Sequence, residues 1–211
     1  NINKTVHPSE FATIKKKCKE RGMGLLLWFE FERAMKNSDE YKKHPDWFID
    51  KKGEDNGQVL LNMSLKEARD YFFALLADLI EKTGINWYRQ DFNVDALPYM
   101  RNDEAGRDGI TELAYINGLY EFLDKILTVY PYMMIDNCAG GGNRMDIEMQ
   151  RRAVTLWRSD YNCYTDYVKE GIQAASMGSA LLFPYHGTGV RVSSRDLYDI
   201  RAGYAAAADI N

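Results

Sequence analysis

"SLKEARDYFFALLADLIEKTGINWYRQD", residues 64–91, decides the fold class. Ser64 and Glu67 have the spacing of a capping box and Gly84 supplies a stop, so 64–84 reads as one helix. "INWYRQD" (85–91) follows at once as a strand. Its apolar residues end abruptly at Arg89 and Asp91, the mark of a buried strand that stops at a polar surface. A helix feeding straight into a buried strand is part of a β/α repeat, and such repeats build parallel sheets.

The alternation extends both ways. Upstream, 8–21 reads as a helix that opens on Pro-Ser and closes at Gly22. "MGLLLWFEFE" (23–32) reads as a strand ending in Glu30 and Glu32, and "QVLLNM" (58–63) as another. Downstream come a helix over 109–131, the strand "YMMIDNC" (132–138) and a short helix over 145–153. The strand "VTLWRSD" (154–160), a helix over 167–178, the strand "SALLFPYHG" (179–187) and a last helix over 194–211 complete the order. This is an α/β chain of the (β/α)8 TIM-barrel type, incomplete, with about six β/α units where a closed barrel needs eight. No GxGxxG follows a strand, and "CAGGGNR" (138–144) lacks the P-loop lysine, so nucleotide-binding versions of the sheet are disfavoured.

Bulk properties narrow the function. The chain has 211 residues, 45% of them hydrophobic, and a formal net charge of −4, so a basic nucleic-acid surface is not expected. No window approaches 18 consecutive apolar residues, so no membrane span is expected. Cys18, Cys138 and Cys163 are odd in number and lack CxxC spacing, which argues against disulfides and zinc and favours a reduced, cytoplasmic compartment. The chain opens on Asn1 rather than Met and shows no signal-peptide pattern, which reads as a processed or excised start.

In parallel β/α proteins, functional groups gather at the C-terminal ends of strands. Glu30, Glu32, Asn62, Asp91, Asn93, Asp136 to Cys138, Asp160 and His186 all fall at such ends. Each alone is a helix cap or loop anchor; as a set they point to a site. Asp91 and Asp160 could form a glycosidase pair, one ionised and one carrying the proton for the leaving oxygen. Arg89 beside Asp91 favours the ionised form, whereas Trp157 could desolvate Asp160 against the opposing Arg158. The amides of "CAGGGNR" could bind a hydroxyl-rich or anionic ligand, or simply form a tight turn. His44 before a proline reads as a loop residue, and His7 has no assigned role. Without clustered His/Cys spacing, neither metal ligands nor a cofactor are expected.

Five blocks then line up in one order. "GLLLWFEFERAMKNSDEYKKHPDWFI" (24–49), "QVLLNMS", "YRQDFN", "CAGGGNR" and "LWRSD" resemble the catalytic barrel of glycoside hydrolase family 36, the α-galactosidases of the melibiase clan. The resemblance implies a retaining hydrolase of terminal α-galactosides, with Asp91 as nucleophile and Asp160 as acid/base. It implies sugar-binding roles for Trp28, Glu30, Arg89, Asn93, Cys138, Gly141, Arg144 and Trp157. It also implies that the first and last barrel strands and the flanking β-sandwich domains are not in this chain. The isolated 211 residues should then be weak or inactive. Departures from the family pattern are Arg89 for lysine, Phe31 for proline, Tyr161 for asparagine, and Asn56 or Gly57 near an expected arginine; they leave galactose and N-acetylgalactosamine both open. Two other readings remain: a divalent-metal barrel enzyme using Asp91, Asp136 and Asp160, and a non-catalytic carbohydrate-binding protein. The expected partners are a carbohydrate and a second copy of the chain.

Overall fold

The computed structural model describes residues 5–6, 9, 11–53, 56–101, 106–163, 167–183, 185–190, 196–204 and 207–210. His7 and Pro8 lie outside the described residues. The chain divides into two compact units, one of residues 1–88 and 94–133, the other of 89–93 and 134–211.

The first unit holds helix α1 (Ala12–Glu20) and strands β1 (Leu26–Trp28) and β2 (Arg33–Met35). Helix α2 (Asp39–Lys43) and strands β3 (Phe48–Asp50) and β4 (Gln58–Leu61) follow. Helix α3 (Lys66–Thr83) leads into β5 (Trp87–Gln90), and α4 (Leu97–Met100) and α5 (Ile110–Val129) complete the unit. Helix α3 buries Ala68, Phe72, Leu76 and Ile80, each four residues from the next and so on one face. Helix α5 buries Tyr115, Leu119, Phe122, Leu123 and Ile126. Each buried Leu, Ile or Phe among them contributes about 1.5–3 kcal/mol on leaving water. The Phe31 ring packs 4.7 Å from Phe122 and 5.7 Å from Phe72, centroid to centroid, so the residue that departs from the family proline is a core anchor. Gly84 stops α3 in the left-handed conformation, its amide donating to the Ile80 carbonyl. The amides of Asn86 and Trp87 donate to the Leu25 carbonyl, which sets β1 beside the start of β5.

The second unit begins with the last residues of β5 and adds β6 (Met134–Asn137), α6 (Ile147–Gln150), α7 (Lys169–Leu182), β7 (Gly187–Val190), α8 (Leu197–Ala202) and β8 (Ala207–Ile210). Backbone pairing crosses it from strand to strand. The Cys138 amide donates to Gln90, Asn137 to Val154, Val154 to Ile135, and Gly187 to Thr155. Asp136 with Val154 and Thr155 with His186 pair in parallel, as do β7 and β8 with Gly187 opposite Ala207. Parallel pairing of strands separated by helices is the α/β arrangement expected from the sequence.

Several elements differ from expectation. The segment 58–63 belongs to no parallel sheet: β4 is the central strand of an antiparallel sheet, order β2-β4-β3, with Arg33 opposite Leu60 and Phe48 opposite Leu61. A central strand covered on its core side reads as a continuous apolar run whichever way its neighbours point. The strand expected over 23–32 is only Leu26–Trp28. Leu65 stands at the N-cap of α3 without a side-chain bond, because Asn62 Oδ1 takes both the Ser64 amide and hydroxyl instead of a capping box forming. Helix α7 runs on through Leu182, so the strand expected at 179–187 begins at Gly187. The last segment is a short helix followed by β8 rather than one helix.

Candidate active site

The second unit gathers most of the residues singled out in the sequence. In a strand, residues two apart share a face. Arg89 and Asp91 therefore share one face of β5 and its continuation, and Asp136 and Cys138 share one face of β6 and its continuation. The two pairs form two rungs. In the lower rung, Arg89 Nη1 donates to Asp136 Oδ2 at 2.7 Å, with Asp136 fully buried and the Arg89 side chain 17% exposed. In the upper rung, Asp91 faces Cys138. Burial pushes the Cys138 thiol up to about 12; the Gly141 amide opposes this and the Asp91 charge adds to it. Asp91 Oδ1 also accepts the Phe92 amide at 2.8 Å. Arg89, the cation next to Asp91 in sequence, is ion-paired with Asp136.

The glycine loop joins this ladder to Asp160. The Ala139 amide donates to the Gly141 carbonyl at 2.8 Å, folding 138–144 tightly. Gly141 has φ +81, and a Cβ there would lie 2.8 Å from the Asp160 amide nitrogen and from Ser159 Cα. A Cβ on Gly142 would lie 2.3 Å from the Arg158 carbonyl oxygen. The loop therefore rests on the backbone that carries Asp160, closer than any other residue type allows. Trp157 Nε1 donates to Asp160 Oδ1 at 2.9 Å. Trp157 was expected to desolvate Asp160; it is buried, and it is also a hydrogen-bond donor to that carboxyl. Arg144 lies 3.7 Å over the Phe92 ring, and Asn137 Nδ2 donates to the Arg144 carbonyl, closing the loop.

Arg89, Asp91, Asn93, Cys138, Gly141, Arg144, Trp157 and Asp160 all belong to the second unit, whereas Trp28 and Glu30 belong to the first. There the Glu30 carboxylate is held bidentate by Arg33, at 2.8 and 2.9 Å, beside a cavity of about 570 Å³ lined by Phe29, Phe31 and Phe72. Trp28 is 51% exposed on β1. His186 is buried with neither ring nitrogen hydrogen-bonded among the described residues, and burial lowers its pKa; it packs in the sheet. The metal-enzyme reading needs Asp136 as a ligand. Its Oδ2 serves Arg89 and its Oδ1 accepts the Leu156 amide at 2.8 Å, and no group of three His, Cys, Asp or Glu among the described residues could hold a metal. Reasoning from sequence missed the partnership of Asp136 with Arg89 and the role of Phe92. The first had a signal, since Asp136 precedes Cys138 by two and so shares its face.

The family model described as Melibiase matches residues 1–201. The chain belongs to the melibiase family. Among melibiase relatives, the bifunctional α-galactosidase/sucrose kinase AgaSK of Mediterraneibacter gnavus is 28% identical over 197 residues, covering 92% of this chain and 20% of that protein. The α-galactosidase AgaA of Geobacillus stearothermophilus is 28% identical over 204 residues, covering 92% and 26%. Variants of AgaA, a family 36 enzyme, have been solved with stachyose and with raffinose. The crystal structure of the α-galactosidase from Lactobacillus brevis superposes with a TM-score of 0.79 at 25% identity, covering all of this chain and 30% of that one. This melibiase chain thus spans a fifth to a quarter of the length of these curated relatives, and the family 36 resemblance read from its five blocks stands.

Proposed function

We propose that this chain is the catalytic part of a retaining α-galactosidase, an arc of an eight-stranded barrel whose remaining strands lie elsewhere in a longer protein. One observation carries the reading. A single loop, 138–144, meets both carboxylate segments, with Cys138 facing Asp91 and Gly141 lying under Asp160. Double displacement requires two carboxyl groups about 5–5.5 Å apart, and one loop meeting both segments supports their convergence. Asp91 attacks the anomeric carbon while Asp160 protonates the leaving oxygen; Asp160 then takes a proton from water as the water oxygen attacks the anomeric carbon, which breaks the bond to Asp91 and frees both the sugar and the carboxylate. The indole of Trp157 is a donor only, so Oδ1 of Asp160 accepts and Oδ2 is the oxygen that carries the transferred proton. Arg89, Asn93 and Arg144 are the polar groups for sugar hydroxyls, and terminal galactose is the substrate sugar, by analogy with the relatives solved with stachyose and raffinose.

The test uses the full-length protein and an aryl α-galactoside. Asp91→Asn should lower turnover on the order of 10⁴-fold, because an amide is no nucleophile. Azide should restore product in that variant as the β-configured galactosyl azide. Asp160→Asn should lose less on substrates with activated leaving groups, which need little proton donation. Undiminished turnover in Asp91→Asn overturns the nucleophile assignment.

A further inference from the structure

We infer that Asp136 is a positioning residue that holds the guanidinium of Arg89 in the geometry that engages the sugar; this rests on the hydrolase reading above. Asp136 is fully buried, and a buried carboxylate is retained only when charged or polar groups satisfy it. Its two oxygens are divided between two strands. Oδ2 takes Arg89 Nη1 from β5 at 2.7 Å, and Oδ1 takes the Leu156 amide from the segment that leads to Asp160 at 2.8 Å. The carboxylate therefore fixes three neighbouring strands in lateral register one rung below Asp91 and Cys138. An arginine side chain is long and rotamer-rich, and its planar fork recognises hydroxyls only when its plane is set. Here one arm of the fork is anchored from beneath by a buried carboxylate that is itself held at its other oxygen. Replacing the family lysine with arginine raises the need for such a device, because a spherical ammonium has no plane to orient.

Asp136→Asn is the informative variant in the full-length protein. The amide oxygen still accepts from Leu156, but an NH₂ now faces the guanidinium. With aryl α-galactoside, KM should rise about tenfold or more with kcat changed far less, and calorimetry should show the galactose Kd rising in parallel. Arg89→Gln should cause the same loss, and Arg89→Gln with Asp136→Asn together should bind galactose within about twofold of Arg89→Gln alone, because residue pairs acting as a unit are not additive. The double variant also removes both charges, so it supplies an answer if Asp136→Asn alone does not fold. A purely structural role predicts a lower Tm and a smaller active fraction with KM unchanged, which would overturn the inference. So would a double variant that binds much more weakly than Arg89→Gln. A wild-type protein that neither cleaves nor binds α-galactosides overturns the hydrolase reading itself, and is told apart because it needs no variant.

Discussion

Cys138 and Cys163 show how far environment separates two residues of one type. Cys163 is exposed in a short turn, whereas Cys138 is buried beside Asp91 with its thiol pushed up to about 12. Only the thiolate reacts, and burial keeps Cys138 as the neutral thiol at pH 8. Iodoacetamide at pH 8 should modify Cys163 rapidly and leave Cys138 unlabelled until the protein is unfolded, as read by peptide mapping. Fast labelling of Cys138 in the folded protein would contradict the buried rung. At this scale the sequence was a better guide to position than to partnership. Asp91 and Cys138 directly follow β5 and β6, because a polar residue that closes an apolar run marks where a buried strand meets a polar surface. The strand expected over 154–160, by contrast, is only the bridged residues Val154 and Thr155, and Asp160 lies on the irregular stretch beyond them. The spacing of Asp136 and Cys138 puts them on one face, but that Arg89 reaches Asp136 depends on which strands lie side by side, which that spacing alone does not give.

Among the elements, α5 is held at one point by a close backbone approach. Gly118 lies in its middle, where glycine ordinarily costs about 1 kcal/mol against alanine. A Cβ there would come within 1.8 Å of the Met63 carbonyl oxygen, which also accepts from Arg69 Nη1 at 2.6 Å. The helix crosses the β4–α3 connection at backbone contact. Gly118→Ala should therefore destabilise rather than stabilise, by about 3 kcal/mol or more, measured as a fall in the denaturation midpoint. A neutral or stabilising result would show that the connection yields easily. The long helices α3 and α5 were legible, since each repeats its apolar face over several turns. The strands β2 and β3 were missed because three residues carry too little periodicity, and α7 was cut short because "SALLF" is as apolar in a helix as in a strand.

For the whole molecule, the question is what covers its apolar surface. Helix α7 turns Ile172 and Ser176 toward Arg158, which donates to the Ile172 carbonyl at 2.8 Å and the Ser176 hydroxyl at 2.6 Å. Met177 and Leu181, four residues apart, lie on another face with Leu182 beside them. Leu181 is 87% exposed, and Tyr185 beyond the helix is exposed as well. A contiguous apolar patch on a water-facing helix promotes association. On the proposed reading of the chain as part of a longer enzyme, the remainder of that enzyme would cover this face. Produced alone, the 211 residues have only copies of themselves to do so. We expect the isolated chain to form dimers or larger species by light scattering at concentrations of about 10–100 μM, the range for modest apolar interfaces. Leu181→Lys with Met177→Lys should shift it toward monomer while leaving its circular dichroism unchanged, because neither side chain is part of the buried core. A clean monomer for the unmodified chain across that range would show that this face tolerates water.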